Sequence, residues 1–211
     1  MKHGTPSRAL FAAALLLGAQ GEAGAQPRED YFPHALETES LVCGGTFPVL
    51  TGLEVSWYSK HLAAAAETSL YKAAQDPANA ATKTYRFTWL RSFHEPVIIR
   101  VDEAPDGAMR LTAKRLTGKG GTEPGRVGVT VARALTVAES GKLRALIARG
   151  DLANLNPADC VAGGDGAKWI LESRVGGTYH FAHRWTPRDG PVREIGLYLL
   201  ALTGWRIGDI Y

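Results

Sequence analysis

Lys168-Trp169-Ile170-Leu171-Glu172-Ser173-Arg174-Val175-Gly176-Gly177-Thr178-Tyr179-His180-Phe181-Ala182-His183-Arg184-Trp185 reads as two strands joined by a two-residue turn. A Gly-Gly pair accommodates the positive φ that such turns demand, and the turn length then sets the register. Val175 faces Thr178, Glu172 faces Phe181, Ile170 faces His183 and Trp169 faces Arg184. With a side-chain period of two, one face carries Ile170, Glu172, Tyr179, Phe181, His183 and Trp185. The other carries Trp169, Leu171, His180 and Arg184. Both faces mix apolar and polar residues, so this alternation does not select a buried side. A slip of one residue would exchange every partner.

Upstream, Thr84 to Leu90 alternates Tyr85, Phe87 and Trp89 against Thr84, Arg86 and Thr88. Val97–Val101, Met109–Leu116 and Val127–Leu135 have the same β-branched or alternating character, with Pro105-Asp106-Gly107 and Gly118 to Gly121 as turns. These connections are too short for crossover helices, which makes the pairing antiparallel. Three helices interrupt the strands. Thr51 to Glu54 forms a capping box, and Leu53, Trp57, His61, Ala64, Thr68 and Tyr71 predict one helix running to about Gln75. Thr136 to Glu139 opens a second, and Gly190-Pro191 a third that stops at Gly204. The order is helix, four strands, helix, two strands, helix. This predicts an α+β fold: an antiparallel sheet of about four strands plus a C-terminal hairpin, with three helices packed on it.

The chain has 211 residues, 45% hydrophobic and 21% charged, a composition that excludes disordered, collagen-like and coiled-coil classes. A net charge of +3 gives no reason to expect nucleic acid. Residues 1–25 read as a secretory signal peptide. Lys2 and Arg8 precede the apolar run Ala9 to Ala19, and Ala23-Gly24-Ala25 supplies small-residue cleavage chemistry. Residues 26–50 form a Pro-rich lead-in without steady period, and residues 51–211 a single α+β domain. The expected address is exported, periplasmic or extracellular, with no membrane attachment after cleavage. In such an oxidising compartment Cys43 and Cys160 are expected to form one disulfide.

The hairpin and the turn after it concentrate the candidate chemistry. Glu172 and His183 are weak catalytic candidates as a carboxylate–imidazole pair, while Trp169, His180, Arg184, Trp185 and Arg188 are candidate ligand-binding residues. The plainer reading, cross-strand charge and cation–π pairs on a half-exposed sheet, outweighs the catalytic one because no nucleophile stands beside the pair. His180 and His183 point to opposite faces, so no metal is expected. Arg184, Arg188 and Arg193 flank the third helix's start, where an ordinary cap outweighs an anion site. His61 is read as a hydrogen-bonded boundary residue, and Lys114, Arg115 and Lys119 as a solvated hairpin tip. Trp57, Trp89, Trp169 and Trp185 read as core ahead of a binding surface. Gly163-Gly164-Asp165-Gly166 precedes a strand rather than a helix, the wrong context for cradling phosphate. No cofactor motif is present.

Asp165-Gly166-Ala167-Lys168-Trp169-Ile170-Leu171-Glu172, with Tyr179-His180 and Arg184-Trp185-Thr186-Pro187, resembles a motif of small exported bacterial proteins of uncharacterised function. The likeness spans Asp165 to Gly204. It implies an exported domain and brings no activity or site residues with it. The expected function is a non-catalytic domain that binds a small ligand or a protein partner. One alternative is a hydrolase-like enzyme using Glu172 and His183; another is a structural or inhibitor-like interaction module.

Overall fold

The computed structural model describes residue 1 and residues 30–211, apart from positions 43, 160 and 162. The signal-peptide segment and both cysteines of the expected disulfide therefore lie outside the described residues. Six strands form one antiparallel sheet: β3 (Lys83–Arg91), β4 (Val97–Glu103), β5 (Met109–Leu116), β6 (Val127–Ala134), β7 (Ala167–Val175) and β8 (Thr178–Trp185), in the order β6-β5-β4-β3-β7-β8. The hairpin β7–β8 joins the other four strands through β3, with Arg86 opposite Glu172 and Trp89 opposite Trp169. Its register is the expected one, Glu172 facing Phe181 and Ile170 facing His183. Gly176, at φ 57°, supplies the left-handed residue of the turn.

Both faces of this sheet are covered, which explains why neither hairpin face reads as purely apolar. On one side, Tyr85, Phe87, Trp89, Ile99, Leu111, Trp169 and Leu171 pack under α3 (Val137–Arg149) and α4 (Pro191–Leu202). Those helices contribute Leu143, Val192, Ile195 and Leu199. The indole N–H groups of Trp89 and Trp169 both donate to the Tyr211 backbone oxygen. On the other side, Leu90, Ile98, Ile170 and Phe181 meet α1 (Gly52–Ala64) and the preceding segment. The capping boxes at Thr51/Glu54 and Thr136/Glu139 are both formed.

Three expectations change. The first helix does not run to Gln75: it stops at Ala64, Ala66 takes φ 49°, and α2 (Leu70–Gln75) restarts after the Ser69 cap. Its buried side is Val55, Tyr58, His61 and Leu62, whereas Leu53 is 79% exposed. The Pro-rich lead-in is packed despite its lack of period: Tyr31, Phe32, Val49 and Leu50 are buried in the same core as α1. It also holds the hairpin β1 (Glu39–Val42) and β2 (Gly45–Pro48), so a boundary at residue 51 does not divide the core. Finally, Lys114 is no solvated tip: it lies within β5, and its ammonium reaches Glu67 at 2.6 Å and the Ala65 carbonyl at 2.6 Å.

Candidate functional site

The α1 side of the sheet carries two charged clusters. In the first, Arg86 donates from Nε and from one terminal nitrogen to the two oxygens of Glu172, each at 2.8 Å. Tyr179 Oη donates to the same carboxylate at 2.9 Å, and Arg86 also bonds the Thr68 carbonyl at 2.7 Å. Glu67 takes Lys114 on one oxygen and Arg100 on the other. Burial alone would lower the Arg86 pKa, but the facing Glu172 outweighs it and holds the guanidinium charged. This cluster fastens the break between α1 and α2 to the sheet.

The second cluster lies beneath a cleft of about 640 Å³, whose lining it reaches through Glu54, Lys168 and Trp185. Glu54 and Tyr58 come from the first turns of α1, Lys168 from the start of β7, and His183 and Trp185 from the end of β8. Lys168 Nζ lies 2.9 Å from Glu54 Oε1. Tyr58 Oη is 3.3 Å from the same oxygen and 3.0 Å from His183 Nδ1. A carboxylate can only accept and a hydroxyl has one proton, so the arrangement that satisfies all three has His183 Nδ1–H donating to Tyr58 and Tyr58 donating to Glu54. Burial, reinforced by the Lys168 charge, pushes the His183 imidazole down to about 3. Burial would raise Glu54, yet hydrogen bonds from Lys168 and the Thr51 backbone leave it below the ordinary carboxylate value. Tyr58 is pushed well up, first by burial and then by the Glu54 charge.

The walls are aromatic. Trp57 is held by its indole N–H on the Gly120 carbonyl. Trp185 stands opposite Lys168 on the hairpin, with the ammonium 5.9 Å from the ring centroid. A Cβ on Gly163 would meet Trp185 Nε1 at 2.2 Å, and one on Gly166 would meet Thr186 Oγ1 at 2.4 Å, so this loop can lie against the indole only as glycine. Ser92 pins that loop by bonding both the amide and the carbonyl of Gly166. At the mouth, Leu53, Phe93 and Val161 are 79%, 60% and 56% exposed. A second hollow of about 670 Å³, beside the turn between β4 and β5, has no aromatic wall.

The weak catalytic candidates do not meet as a pair. Glu172 and His183 share a face but belong to different clusters, and neither lines the cleft. Among the candidate ligand-binding residues, Trp185 reaches the cleft. Trp169 is fully buried under α4. Arg184 is spent on the His183 and Asn156 carbonyls. Arg188 is exposed, and His180 sits half-buried on the opposite face from His183. Arg193 bonds the Pro187 carbonyl, and Gly190 caps α4, so these residues gather into no anion site. His61, fully buried, bonds the Trp57 carbonyl through Nδ1. Among the described residues no group of three or more His, Cys, Asp and Glu side chains is placed to hold a metal ion.

Sequence reasoning passed over Glu54 as a site residue because its capping role accounted for it. The signal lay in two spacings: Glu54 to Tyr58 is one helical turn, and the hairpin register puts Lys168 opposite Trp185. The chain matches no protein-family model, and a comparison with curated proteins likewise finds no match.

Proposed function

We propose that this protein is an exported domain that binds a small ligand in the cleft between α1 and the end of the β7–β8 hairpin. The observation that carries the reading is the meeting of two tryptophans and three solvent-facing apolar side chains around one cleft, over a half-buried ion pair. Apolar groups gathered around a concavity with a few convergent polar atoms are the usual make-up of a ligand site. The signal-type segment at residues 1–25 supports export, and export supports a Cys43–Cys160 bridge. A thiol titration without reductant is expected to find no free thiol, and two free thiols would remove the bridge.

The binding reading is tested by NMR of the indole N–H signals during addition of a library of water-soluble fragments. Fragments that bind are expected to shift Trp57 and Trp185 and to leave the buried Trp89 and Trp169 unmoved. Hits that map elsewhere on the protein, with the cleft indoles silent, would overturn it.

A further inference from the structure

Resting on the ligand-binding reading above, we propose that the cleft takes a neutral saccharide chain. The first argument is charge. All of Glu54 is already engaged, one oxygen by the Thr51 amide and hydroxyl and the other by Lys168 and Tyr58. The floor is thus a compensated pair, and across the whole lining Glu54 and Asp165 balance Lys60 and Lys168, so the cleft offers no net charge to an ionic ligand. Displacing either partner would leave the other ion poorly solvated in a half-buried site, a loss that a charged ligand would have to outweigh.

The second argument is the kind of polar group left over. Lys168 spends one N–H on Glu54 and retains donors toward the cleft beside the Trp185 ring. Asp165, Ser56 and Thr122 line the same cleft and make no side-chain hydrogen bond among the described residues. A carboxylate acceptor, two hydroxyls and an ammonium donor, spread around aromatic rings, suit a ligand that has many hydroxyls and is uncharged. A pyranose ring has this form, with a C–H face that lies on an indole or phenyl plane and a rim of hydroxyls that both donate and accept. Trp57, Trp185 and Phe93 supply three such planes, enough for more than one sugar unit in a cleft of about 640 Å³.

The test is calorimetric titration of the full chain with cellohexaose, chitohexaose and maltohexaose. At least one is expected to bind and to shift the Trp57 and Trp185 indole signals. Affinity should stay within about two-fold between low and high salt, because no ligand charge is there to be screened. Phe93→Ser, on an exposed side chain, is expected to weaken binding about ten-fold, and Asp165→Asn several-fold, with the thermal midpoint unchanged in both. Failure of all three saccharides at ~5 mM, while fragments still shift the cleft indoles, would overturn the saccharide assignment and leave the cleft a ligand site. Silence of the cleft indoles toward saccharides and fragments alike would overturn both.

Discussion

The two charged clusters on the α1 side of the sheet are built from the same materials and do different work. Around Arg86, Glu67 and Glu172, each carboxylate oxygen meets a cation, and the side chains of Arg86 and Glu172 are 0% and 1% exposed. Around Glu54 and Lys168, the side chains remain 18% and 13% exposed, and both line the open cleft. The difference lies in what surrounds them. The Arg86 cluster is closed over by the helix break at residues 65–69, whose carbonyls it binds. The Glu54 cluster is left open because a glycine loop and the α1 helix stand apart on either side of it. A charged residue on a sheet face therefore says little until its cover is known.

Breaking the closed cluster should have the larger effect. Glu172→Gln leaves Arg86 buried with half its partner, and urea denaturation is expected to show a loss of about 3–5 kcal/mol. Lys168→Met in the open cluster should cost only about 1–2 kcal/mol, since Glu54 keeps Thr51 and Tyr58. Equal losses from the two variants would erase the distinction. Acid should act through the open cluster. His183 is neutral in the folded protein down to about pH 3 and takes a proton near its ordinary value once unfolded. Between those limits the unfolded chain binds more protons, so stability is full above the unfolded pKa and falls as pH drops, by about 3 kcal/mol near pH 4. The lowered Glu54 pKa works in the same direction below the ordinary carboxylate range. Thermal scans across this window should show the decline, and His183→Asn should flatten it; an unchanged slope would place the acid sensitivity elsewhere. The smallest effect belongs to a pair outside both clusters. Arg149 and Glu194 are 65% and 51% exposed, and Glu194→Gln is expected to change stability by under about 0.5 kcal/mol.

Much of the architecture is legible in the residues themselves. The Gly-Gly turn fixes the β7–β8 register, and both capping boxes mark helix starts, because these are local geometries with local causes. The break after Ala64 has no such mark. Apolar positions continue at helical spacing across it, and what stops the helix is distant: Lys114 and Arg86 claim the carbonyls of Ala65 and Thr68. The packing of the lead-in has no local mark for the same reason, since Tyr31 is positioned by the Glu67 carbonyl and Ser69 rather than by its neighbours in sequence. At the site, Trp185 is visible in advance as a candidate, whereas the separation of Glu172 from His183 depends on which helix covers each end of the hairpin.

Glu54 holds the first turn of α1 and the floor of the cleft with one carboxylate. That double duty bears on how such a protein can diversify. A change at Glu54 would disturb the helix start together with the cleft floor, so the floor resists stepwise alteration. Leu53, Phe93 and Val161 project outward from the rim, where a new side chain has room. Substitution can therefore redecorate that rim while leaving the floor intact.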